Sequence, residues 1–112
     1  MDTKYKLTNG TIKVNGHTLH RIKALRDFGN VTKGELGGFI ESEGNLSQDG
    51  LCWVAGNASV YGNARVYGSA GVYGNARVYG NARVYGNARV GGNAIVSNDA
   101  RVCGNASVYG SA

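Results

Sequence analysis

The sequence predicts an all-β protein, in which a parallel β-solenoid follows a small β-rich cap. The first observation is a six-residue repeat that runs from residue 54 to 112 without an insertion or deletion. The second is that a valine opens each unit and an alanine stands four places after it. The third is a glycine in the third place of nearly every unit, usually followed by asparagine. The units begin at Val54, Val60, Val66, Val72, Val78, Val84, Val90, Val96, Val102 and Val108.

These three features favour short strands over a helix. A glycine inside a helix costs roughly 1 kcal/mol relative to alanine, and this repeat would place one in almost every turn. Valine and tyrosine favour extended backbone, and glycine accepts the positive φ of a corner. In extended backbone the valine and the alanine share one face, because they are an even number of residues apart. We therefore expect a narrow interior of valine and alanine without space for a ligand, and tyrosine and arginine on the outside.

The asparagine that follows the glycine is expected at each corner, where its side chain forms hydrogen bonds to the next turn. Seven units have this asparagine, and the other three have another short polar residue there. The asparagines are Asn57, Asn63, Asn75, Asn81, Asn87, Asn93 and Asn105, and the replacements are Ser69, Asp99 and Ser111.

Residues 1–39 are predicted to form the cap, and residues 40–112 the solenoid, with regular units from residue 54. In the cap, Asn9-Gly10 and Asn15-Gly16 are typical two-residue hairpin turns between short strands. Residues 27–30 are expected to form a further turn. Gly34, Gly37 and Gly38 indicate another bend.

The six-residue rhythm begins faintly before the regular units. Ile40 and Leu46 are six residues apart, and then the phase shifts by two residues before Val54. We interpret residues 40–53 as an imperfect first turn. Trp53 is expected to pack beneath the cap, which would cover the open end of the core.

Val-Tyr-Gly-Asn-Ala-Arg resembles the repeat of the hexapeptide-repeat family, an aliphatic residue followed four places later by a small one. It departs from that pattern in its second place, where tyrosine often stands instead of a small residue. The resemblance implies a left-handed parallel β-helix with three units per turn, assembled as a trimer.

A wider resemblance rests on residues 24–28, Gly37-Gly38, residues 46–50 and Cys52-Trp53. With these residues the chain is similar to bacterial and phage or prophage hexapeptide-repeat proteins that are often labelled acyltransferases. This resemblance implies a phage or prophage origin and, with it, a possible role as a counter-defence inhibitor. The acyltransferase label rests mainly on the fold and carries little weight for function.

Charge and composition limit the class of protein. The net charge is +5, of which +1 lies in residues 1–53 and +4 in residues 54–112, so the solenoid is the basic part. The beginning of the sequence is polar, and no signal peptide or membrane span is predicted. We expect a cytoplasmic protein, in the host cytoplasm if a phage encodes it. Cys52 and Cys103 are expected as free thiols, because they lie far apart and lack metal-ligand spacing.

The sequence argues against an enzyme, and no cofactor or metal is expected. Acyltransferases of the resembled family use a histidine as general base, but no histidine follows His20. His17 and His20 are interpreted as surface residues of the cap. The carboxylates Glu35, Glu41 and Glu43 are interpreted as solvated groups in a glycine-rich segment.

Candidate binding or interface residues stand on the outside of the solenoid. With three units per turn, residues eighteen apart stack, and arginines at this spacing repel one another and attract an anionic partner. Stacked tyrosines suit a subunit interface or the bases of a nucleic acid. The candidates are Tyr61, Tyr67, Tyr73, Tyr79, Tyr85, Arg65, Arg83 and Arg101. The alternative is that these side chains serve only solubility and packing between turns.

The favoured hypothesis is a non-catalytic solenoid with a structural or protein-binding role, whose partner is a protein of the host cell. Self-association is expected because the last predicted turn lacks a cap. A trimer and an end-to-end dimer are both left open. The alternative functions are an acyltransferase-like enzyme and a nucleotide or nucleic-acid binder that uses the arginine and tyrosine columns.

Overall fold

The computed structural model describes residues 3–29 and 31–110, and it is all-β apart from one short 3-10 turn, Glu43–Asn45. The expectations for Asn30, Ser111 and Ala112 lie outside the described residues. Three longer strands come first: β1 (Tyr5–Val14), β2 (His17–Ala24) and β3 (Leu36–Ile40). Ten two-residue strands follow: β4 (Trp53–Val54), β5 (Ser59–Val60), β6 (Arg65–Val66), β7 (Gly71–Val72), β8 (Arg77–Val78), β9 (Arg83–Val84), β10 (Arg89–Val90), β11 (Ile95–Val96), β12 (Arg101–Val102) and β13 (Ser107–Val108).

The short strands form the three parallel faces of a β-solenoid, which confirms the predicted fold class. The hairpin face contains β5, β8 and β11, and it continues into β3, β2 and β1. The arginine face contains β6, β9 and β12, and the notched face contains β4, β7, β10 and β13. Residues eighteen apart are partners, as Val60 and Val78 are on the hairpin face. Each turn of the solenoid therefore contains three units.

Valine and alanine fill the interior as predicted, except in the last turn, where Ala100 and Ala106 are exposed. The valines from Val54 to Val90 and the alanines from Ala58 to Ala94 have 0–1% exposed surface. Backbone hydrogen bonds join each turn to the next, as in the bond of 2.7 Å from the N–H of Ala55 to the carbonyl oxygen of Val72. The core is a thin column of small side chains, and backbone hydrogen bonds between the turns surround it on all three faces.

The corners also follow the prediction. Their glycines have positive φ, and Asn98, which replaces one of them, has φ of 57°. Side-chain hydrogen bonds join Asn63 to Asn81 and Asn81 to Asp99, each at 3.3 Å. Another joins Asn87 to Asn105 at 3.4 Å. These ladders are the hydrogen bonds expected at two of the three corners. At the third corner, the side chains of Asn57, Asn75 and Asn93 form no such bond among the described residues, so the expectation is wrong there.

In the cap, one of the two predicted hairpin turns is right and the other is wrong. Asn15 and Gly16 form the turn between β1 and β2, with φ of 51° and 84°. Asn9-Gly10 lies inside β1, where the register shifts between Leu7 and Thr11. The strand absorbs this segment as a bulge because β2 pairs on both sides of it. Farther along, Phe28 and Val31 bridge across the turn expected at residues 27–30.

Gly37 and Gly38 do not form the predicted bend, because they lie within β3. Only Gly34 lies at a bend with positive φ, at 91°. β3 pairs with β2 on one side and with β5 on the other, so it approaches the first turn of the solenoid closely. A Cβ on Gly38 would lie 2.6 Å from the carbonyl oxygen of Ala58. The glycine pair therefore provides close packing rather than a change of direction.

The imperfect first turn is present as predicted. Ile40 pairs with Val60, Leu46 with Val66 and Val54 with Val72. The two additional residues before Val54 are accommodated next to the 3-10 turn, in the segment between Leu46 and Trp53. The border predicted between residues 39 and 40 falls within β3, which belongs to the sheets of both parts.

The cap is fixed to the solenoid by aromatic and polar contacts. Trp53 is 7% exposed, and its ring packs edge-on against Phe28 at 5.2 Å, so its predicted position beneath the cap is confirmed. Lys4 is fully buried and donates a hydrogen bond of 2.7 Å to the carbonyl oxygen of Cys52. The hydroxyl of Tyr5 donates to the carbonyl oxygen of Leu46. These polar anchors were missed because nothing in the sequence separates Lys4 from a surface lysine.

Candidate functional site

The arginine face carries the clearest column of like charges. Arg65 pairs with Arg83, and Arg83 with Arg101, across three successive parallel strands. All three side chains are exposed, and none has a carboxylate within 4.0 Å in the described part of the chain. Neighbouring strands are about 4.8 Å apart, so the three charges stand close together. The column expected from the eighteen-residue spacing is present, and its charge is not neutralised within residues 3–29 and 31–110.

A tyrosine stack stands beside this column. The rings of Tyr67 and Tyr85 are 4.9 Å apart and nearly parallel, with 3° between their planes. Both side chains are half-buried. Backbone hydrogen bonds to the next turn fix the position of both tyrosines. The N–H of Tyr67 donates to the carbonyl oxygen of Val84, and that of Tyr85 to the carbonyl oxygen of Val102. The arginine face thus presents aromatic rings and guanidinium groups on a rigid support.

Two shallow cavities flank the first two arginines of the column. The cavity on the corner side has a volume of about 290 Å³, and the cavity on the tyrosine side has a volume of about 340 Å³. Arg65 and Arg83 line both cavities, so these two residues are shared by two spaces open to small ligands. Asn63 and Asn81 line the first cavity, and Tyr67 lines the second.

On the hairpin face, the cap covers part of the second tyrosine column. Tyr61 and Tyr79 stack at 5.1 Å with 9° between their rings. The hairpin turn lies over Tyr61, and the side-chain amide of Asn15 donates to its hydroxyl oxygen at 3.1 Å. Tyr61 is only 3% exposed, whereas Tyr79 is half-buried. Tyr61 therefore packs the cap against the solenoid.

The structure brings together two polar residues that the sequence placed apart. His17 Nδ1 lies 2.9 Å from Glu41 Oε2, and the side chains are 39% and 33% exposed. Glu41 Oε1 also accepts the backbone N–H of Gly62 at 2.9 Å. The hydrogen bond from His17, and then that from Gly62, lower the pKa of the Glu41 carboxyl. The sequence analysis missed this pair because the two residues are 24 positions apart and no local pattern links them.

The notched face has a different tyrosine arrangement. The ring of Tyr73 extends over Gly91 towards Tyr109, and the two rings meet edge to face at 6.1 Å. This is the position expected for Tyr73 from the eighteen-residue spacing. Tyr109 is 54% exposed, so this part of the column is largely open to solvent.

The repeat can also be compared with known families. Residues 58–74, 70–86, 76–92 and 82–98 each match the YdcK beta solenoid repeat. The chain is a β-solenoid repeat protein. The four matches overlap and span residues 58–98, which are the regular turns of the solenoid and include both stacked tyrosine pairs. No curated protein matches the chain. The solenoid match concerns the architecture, and the hexapeptide-repeat and acyltransferase resemblances stay predictions.

Some other expectations can be compared with the described residues. Cys52 is buried, Cys103 is exposed, and both are free thiols, as predicted. Within residues 3–29 and 31–110, no three histidine, cysteine, aspartate or glutamate side chains gather as they do around a metal ion. The same residues contain no helix of the length and hydropathy needed to cross a membrane.

Proposed function

We propose that this β-solenoid is a non-catalytic binding module that presents the arginine face to an acidic surface of a partner protein. The observation that carries the proposal is the column Arg65, Arg83 and Arg101, which stands beside the Tyr67–Tyr85 stack without a neutralising carboxylate within 4.0 Å in the described part of the chain. Arginine and tyrosine are enriched in protein interfaces, particularly among the residues that dominate binding energy. Backbone hydrogen bonds between successive turns hold the short strands that carry these side chains, so the side chains keep fixed positions and binding costs less entropy.

The resemblance to phage and prophage proteins identifies the class of partner that we propose, a protein of the host cell. A small rigid module of this kind would act by covering a functional surface of that protein, as a counter-defence inhibitor does. An acidic surface is required by charge complementarity, since the solenoid carries +4 of the net charge of +5.

The test is an affinity capture from host cell extract with quantitative mass spectrometry. A variant with Arg65, Arg83 and Arg101 all changed to glutamine removes the charge column and keeps polar side chains. Its matched control changes Arg77 and Arg89, which lie on the other two faces, to glutamine. We expect the first variant to lose the captured protein and the control to retain it. Equal capture by both variants would show that the arginine face is not the binding surface.

A second candidate function is nucleotide or nucleic-acid binding. It is favoured by the two cavities of about 290 and 340 Å³ on either side of Arg65 and Arg83, which leave space for phosphates next to the guanidinium groups. The half-buried Tyr67 lines the second cavity and stacks on Tyr85, and this stack offers a ring face for bases. Fluorescence anisotropy with a labelled single-stranded oligonucleotide distinguishes this candidate. Each phosphate contact contributes about −0.7 to the slope of log K against log salt, so the triple glutamine variant should have a flatter slope.

The acyltransferase alternative gains one feature from the structure, the His17–Glu41 pair. A carboxylate that fixes an imidazole is a common arrangement of a general base. The pair lies beside Tyr61, whose ring is 5.0 Å from that of His17. Turnover of an acyl thioester that disappears in His17→Gln and persists in His20→Gln would support this alternative against the binding module.

We also propose that two copies associate end to end through the turn formed by β11, β12 and β13. This turn carries two large side chains that are exposed, Ile95 and Tyr109, at 48% and 54%. Exposed apolar surface of this kind favours association. The cap covers the opposite end, so two such edges would meet about a two-fold axis and form a closed dimer.

Light scattering tests the assembly. The Ile95→Lys and Tyr109→Lys double variant places charges on this edge without altering the buried column. We expect a dimer mass for the original chain and a monomer mass for the variant. A trimer mass that the variant retains would favour the assembly implied by the family resemblance. A monomer mass for the original chain would exclude self-association under those conditions.

A further inference from the structure

A notch opens on the notched face at two positions where the repeat lacks its usual large side chain. Gly71 takes the sixth place, which is arginine in five of the units, and Ala55 takes a second place that is usually tyrosine. The two positions come together because β4 and β7 are neighbours, with Trp53 opposite Gly71. The missing side chains leave a cavity of about 430 Å³, the size of a small-molecule site. A Cβ added to Gly71 would meet only the Cδ of Arg89, at 3.8 Å, so the space above this glycine is open.

The lower wall of the notch is apolar. Leu51 lines it and is 52% exposed, although large aliphatic side chains are more often covered. Trp53 and Val31 from the cap also line this wall, and only 7% and 9% of their surfaces are exposed. Tyr73 lines the notch beyond Gly71. A ligand that covers Leu51 and contacts these rings would remove apolar surface from water.

The upper wall carries a positive charge. Arg89 lies opposite Gly71 in the parallel pair of β7 and β10, and it lines the same cavity. No carboxylate lies within 4.0 Å of Arg89 in the described ranges. Asp99 is the only acid of residues 54–112, and it belongs to the corner ladder of Asn63 and Asn81, between the other two faces. The charge of Arg89 is therefore open to a ligand, and Ser69 and Asn87 add hydrogen-bonding groups at the same wall.

We propose that the notch binds a small molecule with a compact apolar body and one carboxylate. The apolar body lies against Leu51 and the edge of Trp53, and the carboxylate pairs with the guanidinium of Arg89. A single negative charge is favoured because Arg89 is the only cationic side chain that lines the described cavity. This site is separate from the arginine face, and it does not depend on the partner proposed for that face.

The test uses the indole N–H resonance of the chain's only tryptophan, which lines the notch. Three probes are titrated into 15N-labelled protein: 4-tert-butylbenzoate, the neutral 4-tert-butylbenzyl alcohol, and acetate. We expect a saturable shift with the benzoate, with affinity at least about tenfold higher than for either other probe. Equal affinity for the benzoate and the alcohol would overturn the role of Arg89. No shift with any probe would overturn the site.

Two variants and a control locate the binding. Gly71→Arg introduces the usual residue of the repeat and fills the notch, although its charge alone would strengthen binding of an anion. We therefore expect it to abolish the benzoate shift for a steric reason, with the β-sheet circular dichroism unchanged. Arg89→Gln should reduce the affinity for the benzoate to that for the alcohol. The control Arg77→Gln, on the hairpin face, should leave it unchanged, and the same benzoate affinity in all three variants would place binding elsewhere.

Discussion

The ring of Tyr73 occupies the space above Gly91, where a Cβ on the glycine would lie 2.4 Å from Cε2 of the ring. Gly91 takes a place in the repeat that is usually tyrosine. On the other two faces, the tyrosines of successive turns lie flat on each other, as Tyr67 and Tyr85 do. Here the glycine lets Tyr73 extend across a full turn and meet Tyr109 edge to face. A departure from the repeat at one residue thus sets the orientation of another residue eighteen positions earlier.

This contact predicts that Gly91→Ala destabilises the fold through Tyr73. The added methyl displaces the ring, which is half-buried and has room to move, so we expect a loss of about 1 kcal/mol. In a Tyr73→Ala background the same substitution should cost almost nothing. Urea unfolding of the four proteins of this double-mutant cycle measures the coupling. Gly71→Ala, whose Cβ has no contact closer than 3.8 Å, is the matched control. Additive effects in the cycle would contradict the contact.

The close approach of β3 to the first turn predicts a larger effect at Gly38. A Cβ there would lie 2.6 Å from the carbonyl oxygen of Ala58 and 2.7 Å from Cγ1 of Val54. That carbonyl accepts the N–H of Phe39 at 2.9 Å, so the backbone cannot retreat without losing the bond. We expect Gly38→Ala to cost at least about 2 kcal/mol, measured as a lower midpoint in urea. Gly10→Ala, in a strand with its nearest contact at 3.5 Å, should change the midpoint little. Similar midpoints for both variants would show that β3 has freedom to shift.

The solenoid was predictable because each of its units repeats the same local chemistry. Valine and alanine four places apart identify the inner face. The eighteen-residue partners follow from the three units per turn that the family resemblance implies. The same spacing gave the column of Arg65, Arg83 and Arg101 and the stacks of Tyr67 and Tyr85. What it did not give was the covering of Tyr61 by the hairpin, because that depends on where a non-repeating segment docks.

The cap was less predictable because each of its features occurs once. Asn9-Gly10 has the same residue types as the true turn at Asn15-Gly16, and only the pairing of β1 with β2 on both sides decides between a bulge and a turn. Gly37-Gly38 has the composition of a bend, although its role is to permit close packing. The contacts of Lys4 with Cys52 and of His17 with Glu41 join residues at least 24 positions apart. No local pattern encodes contacts of that kind.

The buried amine of Lys4 predicts a specific effect of alkaline pH. Burial lowers the pKa of Lys4 from the usual 10.5, and the neighbouring Cys52 opposes this only in part. Between the folded pKa of Lys4 and pH 10.5, the unfolded chain therefore holds the Lys4 proton more fully than the folded chain does. The contribution of Lys4 to the free energy of unfolding therefore increases with pH over this range. Replacing Lys4 by methionine should remove that increase. The measurement is the difference in unfolding free energy between the original chain and Lys4→Met, followed from neutral pH to pH 10.5. A difference that does not vary with pH would contradict a lowered pKa.

Tyr5 predicts the opposite effect at still higher pH. Burial, followed by the charges of Glu43 and Cys52, raises the pKa of the Tyr5 hydroxyl far above its usual 10.0. Above pH 10.0 the unfolded chain loses this proton while the folded chain keeps it, so the stability contributed by Tyr5 falls as pH rises. The difference between the original chain and Tyr5→Phe isolates this slope from that of Lys4. A difference that stays constant above pH 10.0 would mean that the hydroxyl ionises equally in both states.

The hydrogen-bonded pair of His17 and Glu41, between the cap and the first turn, predicts a change at acid pH. Since the hydrogen bonds from His17 and Gly62 lower the pKa of Glu41 below its usual 4.5, the carboxylate stabilises the fold above that pH. This stabilisation is lost as pH falls below 4.5 and through the folded pKa, because the folded chain must then take up the proton. Glu41 is partly exposed, so we expect no more than about 1 kcal/mol. Glu41→Gln should reduce stability at neutral pH and make no difference at pH values below the folded pKa. Glu35→Gln, an exposed acid of the cap, is the control, and an equal acid-dependent change in both variants would mean that the pair with His17 contributes nothing specific.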